Sequence, residues 1–185
     1  TSLFDAPLSG TWSLGAGRYA GTAGSTPAID TVSFNVQASS LIDLSAKFKV
    51  TGEGGFVYDQ YAIDDFKFVT ISAGKITLGH RTSKGWFTDA VINNGSIVAE
   101  TDYTLGITLK GTSVSVTLNG SLVASRTYNA MVTDGNFGLL SRTGTTSFDT
   151  VTVKSDDPSL LNQSFALTAD LGSAVTGEAV TPLTD

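Results

Sequence analysis

The sequence predicts an all-β protein: a two-sheet antiparallel jelly-roll sandwich of about twelve strands. Three observations carry this. Apolar residues recur with a period of two almost everywhere between residues 10 and 155, and no window there gives an i, i+3, i+4, i+7 stripe. Turn-forming dipeptides interrupt the alternation every ~8–12 residues, the spacing of a sandwich or barrel. The composition is that of strands and turns: 20 Gly, 47 Ser plus Thr, and only 15% charged residues.

The elements follow in order. Stretch 31–36 places Val32, Phe34 and Val36 on one face, and 41–50 does the same with Leu44, Ala46, Phe48 and Val50. Stretches 66–71, 75–78 and 86–92 continue the pattern, with Ala73-Gly74-Lys75 and Asn94-Gly95 as tight connections. Leu105, Ile107 and Leu109 alternate, then Val114, Val116 and Leu118, joined through Lys110-Gly111-Thr112. Asn119-Gly120 separates 113–118 from 121–128, the strongest short-range hairpin signal. Asp134-Gly135-Asn136 opens a strand at 137–141. This many strands must form two packed sheets, because open sheets seldom exceed about ten strands.

The composition changes at Asp156-Asp157-Pro158, so the sequence divides into one domain over 1–158 and a tail or interdomain linker over 159–185. Leu160, Leu161, Phe165 and Leu167 could dock the start of that tail, and Val180 and Leu183 could belong to a neighbouring module. The opening Thr1-Ser2-Leu3-Phe4 carries no signal peptide, which suggests a module cut from something longer.

Charge and composition exclude several classes. With 11 basic against 17 acidic residues the net charge is −6, which argues against nucleic acid and against a polybasic membrane surface. No apolar run approaches the ~18 residues that a membrane helix needs. There is no cysteine and one histidine, so disulfide scaffolds, thiol nucleophiles and multi-histidine metal sites are excluded. Neither a phosphate-binding loop nor a G-x-S-x-G elbow is present.

Phe4-Asp5, Trp12 and the run 15–19 at the start, Asp65-Phe66-Lys67-Phe68-Val69 in the middle, and 135–141 with 147–153 at the end resemble concanavalin A-like, laminin G-like jelly-roll domains. The resemblance covers about residues 4–154. It implies carbohydrate binding or adhesion, in some relatives glycoside hydrolysis, within large secreted bacterial adhesin-type proteins. The expected partner is a polysaccharide or cell-surface glycan, the expected location extracellular or cell-surface, and the expected form a monomeric module. It also implies a structural Ca2+ held by Asp149 of the closing strand, with Phe4 or Asp5 contributing from the first segment. Carbonyl oxygens can complete the six to eight ligands such an ion takes.

The densest cluster of rings and planar polar groups lies between residues 58 and 87. Sugar recognition wants that mixture, a ring against the C–H face of a pyranose and planar polar groups on its hydroxyls. The candidate ligand-binding residues are Tyr58, Asp59, Tyr61, His80, Arg81 and Trp86. The period-two spacing of Phe66 and Phe68 assigns those rings to the core instead. His80 lacks any sequence signal for an orienting partner, so a catalytic role is not assigned to it. Glycosidases need two carboxylates ~5–9 Å apart. The paired Glu pattern of jelly-roll glucanases is missing, since Glu53, Glu100 and Glu178 are scattered and Asp59 and Asp64 fall on opposite faces of a regular strand. The leading reading is therefore a non-enzymatic binding module, against a glycoside-active enzyme or a structural or protein-binding spacer. The adjacent pairs Asp64-Asp65 and Asp156-Asp157 read as solvated turn residues.

Overall fold

The computed structural model of the protein describes residues 3–32 and 35–160. Its strands are β1 (Thr11–Gly15), β2 (Arg18–Thr22), β3 (Ala28–Thr31), β4 (Ile42–Val50), β5 (Glu53–Ala62), β6 (Asp65–Ser72), β7 (Lys75–Thr82), β8 (Gly85–Asn93), β9 (Tyr103–Lys110), β10 (Ser113–Leu118), β11 (Ser121–Thr127), β12 (Asn136–Thr143) and β13 (Thr145–Ser155). They form two antiparallel sheets: seven strands in the order β1-β2-β13-β4-β9-β10-β11, and six in the order β3-β12-β5-β6-β7-β8. This is the two-sheet sandwich that the alternation predicts, with one strand more than the count of about twelve.

The core lies between the sheets. Along β4, Ile42, Leu44, Ala46, Phe48 and Val50 are buried while the residues between them are not. Across from them stand Phe56, Val69, Ile71, Ile76 and Leu78 of the six-stranded sheet. Each such aliphatic or aromatic side chain contributes about 1.5–3 kcal/mol by leaving water. The β10–β11 turn has Asn119 at φ 50° and Gly120 at φ 81°, so the predicted Asn-Gly hairpin is realised.

Phe66 and Phe68 are buried, but not between the sheets. With Ile29, Val57 and Leu140 they form a second apolar cluster, against which Trp86 packs. Val57 lies between Phe56 and Tyr58, which face the seven-stranded sheet, so alternation puts this cluster on the outer face of the six-stranded sheet. Arg142 closes it, its guanidinium 4.4 Å from the Trp86 ring centre and 5.5 Å from that of Phe68. Glu53 pairs with Arg142 at 3.0 Å and accepts from the Thr70 hydroxyl at 2.6 Å. Gly79 pairs with Phe68, and a Cβ there would fall 2.5 Å from the Phe68 ring.

Two readings of the sequence are corrected. The strand expected at 31–36 lies earlier, as β3; Val32, just past it, bridges to Phe4 and donates its amide to the Phe137 carbonyl at 2.9 Å, and Phe34 lies outside the described residues. The signal is offset because β3 is set by pairing with β12 (Thr31 opposite Gly138, Ala28 opposite Ser141), not by local alternation. Asp156 is exposed, as the solvated-turn reading has it, but Asp157 is not a solvated turn residue. Asp156 accepts the Leu41 amide at 2.6 Å, and Asp157, fully buried, accepts those of Gln37 at 2.6 Å and Ser159 at 2.8 Å. These contacts fasten the end of β13 and the turn Pro158–Leu160, whose Leu160 is buried. Apart from Ser159 and Leu160, the expected tail, with Leu161, Phe165, Leu167, Val180 and Leu183, lies outside the described residues.

One buried carboxyl gives the fold a pH signature. Asp30 on β3 is fully buried; one oxygen accepts from the Tyr19 hydroxyl and Oδ1 has no partner. Burial, with Asp5 nearby, pushes its carboxyl up to about 6, against the opposing pull of the Tyr19 hydrogen bond. A carboxyl raised in the folded state binds a proton there more readily than in the unfolded chain. Its contribution is therefore most favourable below about pH 4 and is lost as pH rises to about 6. Asp30→Asn removes that loss. Measured by urea unfolding, the variant should gain on the parent between pH 4 and pH 7 by up to about 3 kcal/mol; a difference that stays flat with pH would contradict this.

Candidate functional site

A cross-strand row, Tyr58–Lys67–His80–Phe87, runs over β5, β6, β7 and β8 near the end that carries the β5–β6 and β7–β8 turns. Here the sandwich opens into a cleft of about 360 Å³. Asp59, Asp65, Lys67, His80, Arg81 and Asp89 line it from the six-stranded sheet; Arg126 and Tyr128, with Asn129 and Ala130, line it from β11 and the residues that follow.

The β7–β8 pairing shifts register between Leu78 and Gly79, where Leu78 faces Ala90 and Gly79 faces Thr88, so Asp89 is the extra residue of a bulge. That bulge aims Asp89 into the cleft. Its Oδ1 lies 2.9 Å from His80 Nδ1, and its Oδ2 accepts from the Tyr128 hydroxyl at 3.4 Å. The Tyr128 hydroxyl also lies 3.0 Å from that of Tyr58. Holding His80 through Nδ1 leaves Nε2 as its free atom. On the same face the His80 ring stacks on Phe87, its cross-strand partner, centroids 5.0 Å apart and planes 10° apart. Phe87 is 41% exposed and Tyr61 57%, so rings are available on this side of the sheet.

Asp59 carries the local strain. It sits inside β5 at φ 50°, 4% exposed, in a segment where the β5–β6 register slips between Tyr58 and Ala62. Its Oδ2 pairs with Lys67 Nζ, while Oδ1 is buried with no partner. A non-glycine residue held left-handed with unfilled hydrogen-bond capacity is the kind of cost that concentrates at functional sites. The Tyr128 ring meets two cations, with Lys67 Nζ and the Arg126 guanidinium carbon each 5.2 Å from its centre. Burial and then the Tyr128 hydroxyl push the Tyr58 phenol well up; burial followed by the Asp134 and Asp59 carboxylates does the same to Tyr61. Both phenols thus stay neutral and can donate and accept.

Of the six expected ligand-binding residues, Asp59 and His80 line the cleft; Arg81 borders it, but it pairs opposite Phe66 and lays its guanidinium over Trp86 on the outer face. Tyr61 is exposed, near Asp59. Tyr58 is corrected: it is fully buried in the inter-sheet core and supports the cleft from beneath through Tyr128. Trp86 is corrected too. It lies on the outer face, edge-on to Phe66 and Phe68, with the guanidiniums of Arg81 and Arg142 at 5.0 and 4.4 Å from its ring centre. Its ring is packed, not offered. Sequence reasoning missed Lys67, Asp89, Arg126 and Tyr128. Asp89 depends on a bulge, and residues 126–130 arrive from the other sheet.

The Asp149 carboxylate, the side chain expected to hold calcium, is already paired. Phe4 packs on Tyr19, which stacks on Trp12 in the core-side aromatic group, while the Asp149 carboxylate meets Lys47 at 3.1 Å and Arg18 at 3.8 Å. A carboxylate already facing two cations is a poor ligand for a third, so these residues do not fit the ion. Among the described residues no group of three His, Cys, Asp or Glu side chains is placed to hold a metal.

No family model and no curated protein matches the sequence. Solved structures do match in shape. The carbohydrate-binding module CBM66 from Bacillus subtilis is 15% identical with a TM-score of 0.70, over 82% of this chain and 95% of that one. A putative glycosyl hydrolase from Parabacteroides distasonis is 15% identical with a TM-score of 0.58, over 83% and 98%. An alginate lyase of polysaccharide lyase family 7 is 14% identical with a TM-score of 0.57, over 78% and 82%. At such identities the likeness establishes the concanavalin A-like jelly-roll fold and nothing finer.

Proposed function

We propose that this chain is a carbohydrate-binding module that holds a glycan in the cleft between the β7–β8 hairpin and residues 126–130. The observation that carries the reading is the His80–Asp89–Tyr128 hydrogen-bond chain set beside the exposed Phe87 ring, with the unpartnered Asp59 Oδ1 in the same cleft. A ring can take the C–H face of a sugar while the imidazole and carboxylate take its hydroxyls. The neighbours' printed names include a carbohydrate-binding module, which supports the reading as analogy of fold only.

The test is a glycan array followed by titration of the best hit. Phe87→Ala should weaken binding about tenfold, the worth of one ring contact of ~1–1.5 kcal/mol. The melting temperature should hardly move, because the ring is 41% exposed. Unchanged affinity, or no hit from folded protein, would overturn the reading.

One observation favours a second reading. The structure supplies the orienting partner that the sequence did not show: Asp89 holds His80 Nδ1 with the Tyr128 hydroxyl alongside, the arrangement of a positioned acid–base pair. New reducing ends or unsaturated products from a bound glycan, lost in His80→Ala, would make the protein an enzyme.

A further inference from the structure

We propose that the cleft takes a glycan carrying a protonated primary amine, as a deacetylated amino sugar does, with Asp65 at the mouth receiving the ammonium and Asp59 behind it. This rests on the glycan-binding reading and names the class of its ligand.

Phe66 belongs to the apolar cluster of the outer face, so alternation turns Asp65 and Lys67, on either side of it, toward the cleft. Arg81, opposite Phe66, is turned away, its guanidinium on Trp86. The charged groups left in the cleft are three carboxylates, Asp59, Asp65 and Asp89, against Lys67 and Arg126, with His80 as the histidine. Asp59 Oδ2 holds Lys67, Asp89 Oδ1 holds His80 Nδ1 at 2.9 Å, and the Asp89 carbonyl anchors Arg126 at 3.2 Å. Asp65 is exposed and forms no ion pair among the described residues. Asp134, also exposed and without an ion pair among them, faces the Tyr61 hydroxyl beside Asp59. In a chain of net charge −6, uncompensated negative charge thus gathers at this mouth.

The cleft already holds one ammonium. Lys67 Nζ rests on the Asp59 carboxylate with the centre of the Tyr128 ring 5.2 Å away, the pairing of carboxylate and ring face that suits an amine. Asp65 offers the carboxylate for a second, and Tyr61, 57% exposed, and Phe87, 41% exposed, offer the rings. Behind them Asp59 is 4% exposed, and its Oδ1 has no hydrogen-bond partner. An acceptor this buried and unfilled points to a donor brought by a ligand, and an ammonium brings three donors and no acceptor. An N-acetyl group brings one donor and no charge. A uronate or sulfate would meet Asp65 and Asp134 with like charge.

The probes are chitosan oligomers, chitin oligomers of the same length as their N-acetylated counterparts, dextran as a neutral polymer, diethylaminoethyl-dextran as a polycation of unrelated geometry, and polygalacturonate as a polyanion. Each is titrated by calorimetry at mildly acidic pH, where the sugar amine is protonated and exposed aspartates are ionised. Chitosan oligomers should bind at least tenfold more tightly than the N-acetylated ones, and raising the pH until the amine is neutral should erase the preference. Asp65→Asn should remove about tenfold of the chitosan affinity with an unchanged melting temperature, because the side chain is exposed. Glu100→Gln, the same charge change on an exposed residue at the other end of the sandwich, should alter nothing. Equal binding of N-acetylated or neutral glycans with Asp65→Asn unaffected would overturn the amine and leave the glycan reading standing, as would tighter binding of polygalacturonate. Diethylaminoethyl-dextran binding as tightly as chitosan, or a Glu100→Gln loss as large as that of Asp65→Asn, would reduce the effect to general charge attraction and overturn it too. No binding to any of the five would remove both readings.

Discussion

Replacing Lys67 by methionine is expected to lower the free energy of unfolding by about 3–5 kcal/mol, the cost of stranding one member of a buried ion pair. Asp59 is 4% exposed, and Lys67 is the cation its Oδ2 meets. Methionine keeps an unbranched apolar stem, so little packing is lost and the change reports the uncompensated carboxylate. The double variant Lys67→Met, Asp59→Asn should recover most of the loss, since asparagine tolerates the left-handed backbone at φ 50° and carries no charge. Urea unfolding of the four proteins closes the cycle. A single Lys67→Met variant within about 1 kcal/mol of the parent would show that Asp59 is hydrated, and the case for a strained, preorganised cleft would fail.

Trp86→Ala is expected to cost about 2–3 kcal/mol of stability, somewhat less than a fully buried tryptophan because the ring is only partly covered. The loss comes from its edge contacts at 5.5 Å with Phe66 and 5.2 Å with Phe68, and from the guanidiniums on its faces. Glycan affinity should change by much less than in Phe87→Ala, because the Trp86 ring lies on the outer face, away from the cleft. The reverse pattern, an unchanged melt with binding abolished, would move the site to the outer face of the six-stranded sheet.

These two expectations also separate what the sequence revealed from what it did not. Period-two alternation in 41–50, 105–109 and 113–118 marks β4, β9 and β10 because each buries one face only. The same rule assigned Phe66 and Phe68 to burial but could not say on which face. Both faces of β6 are covered, one by the opposite sheet and one by Trp86 and Arg142, and a strand buried twice has no polar side to orient it. The ring-rich segment 58–87 reaches the end of the molecule that carries the proposed cleft, and Asp59 and His80 line it. Tyr58 and Trp86 were drawn in by proximity in sequence, although the first points into the core and the second to the outer face. Asp89 was invisible because a bulge turns it, and Arg126 and Tyr128 because the contact that recruits them spans 37 to 39 residues and joins different sheets. Long-range pairing of this kind leaves no local pattern to read.

The most direct test of the central claim is a map of backbone amide shifts as the best-binding glycan is titrated into the folded domain. The account predicts that the largest saturable shifts fall on residues 59–67, 80–89 and 126–130, with those of Arg142 and Thr70 on the outer face nearly still. Shifts centred on Glu53, Thr70 and Arg142 instead, or none beyond those of an unrelated polymer, would contradict it.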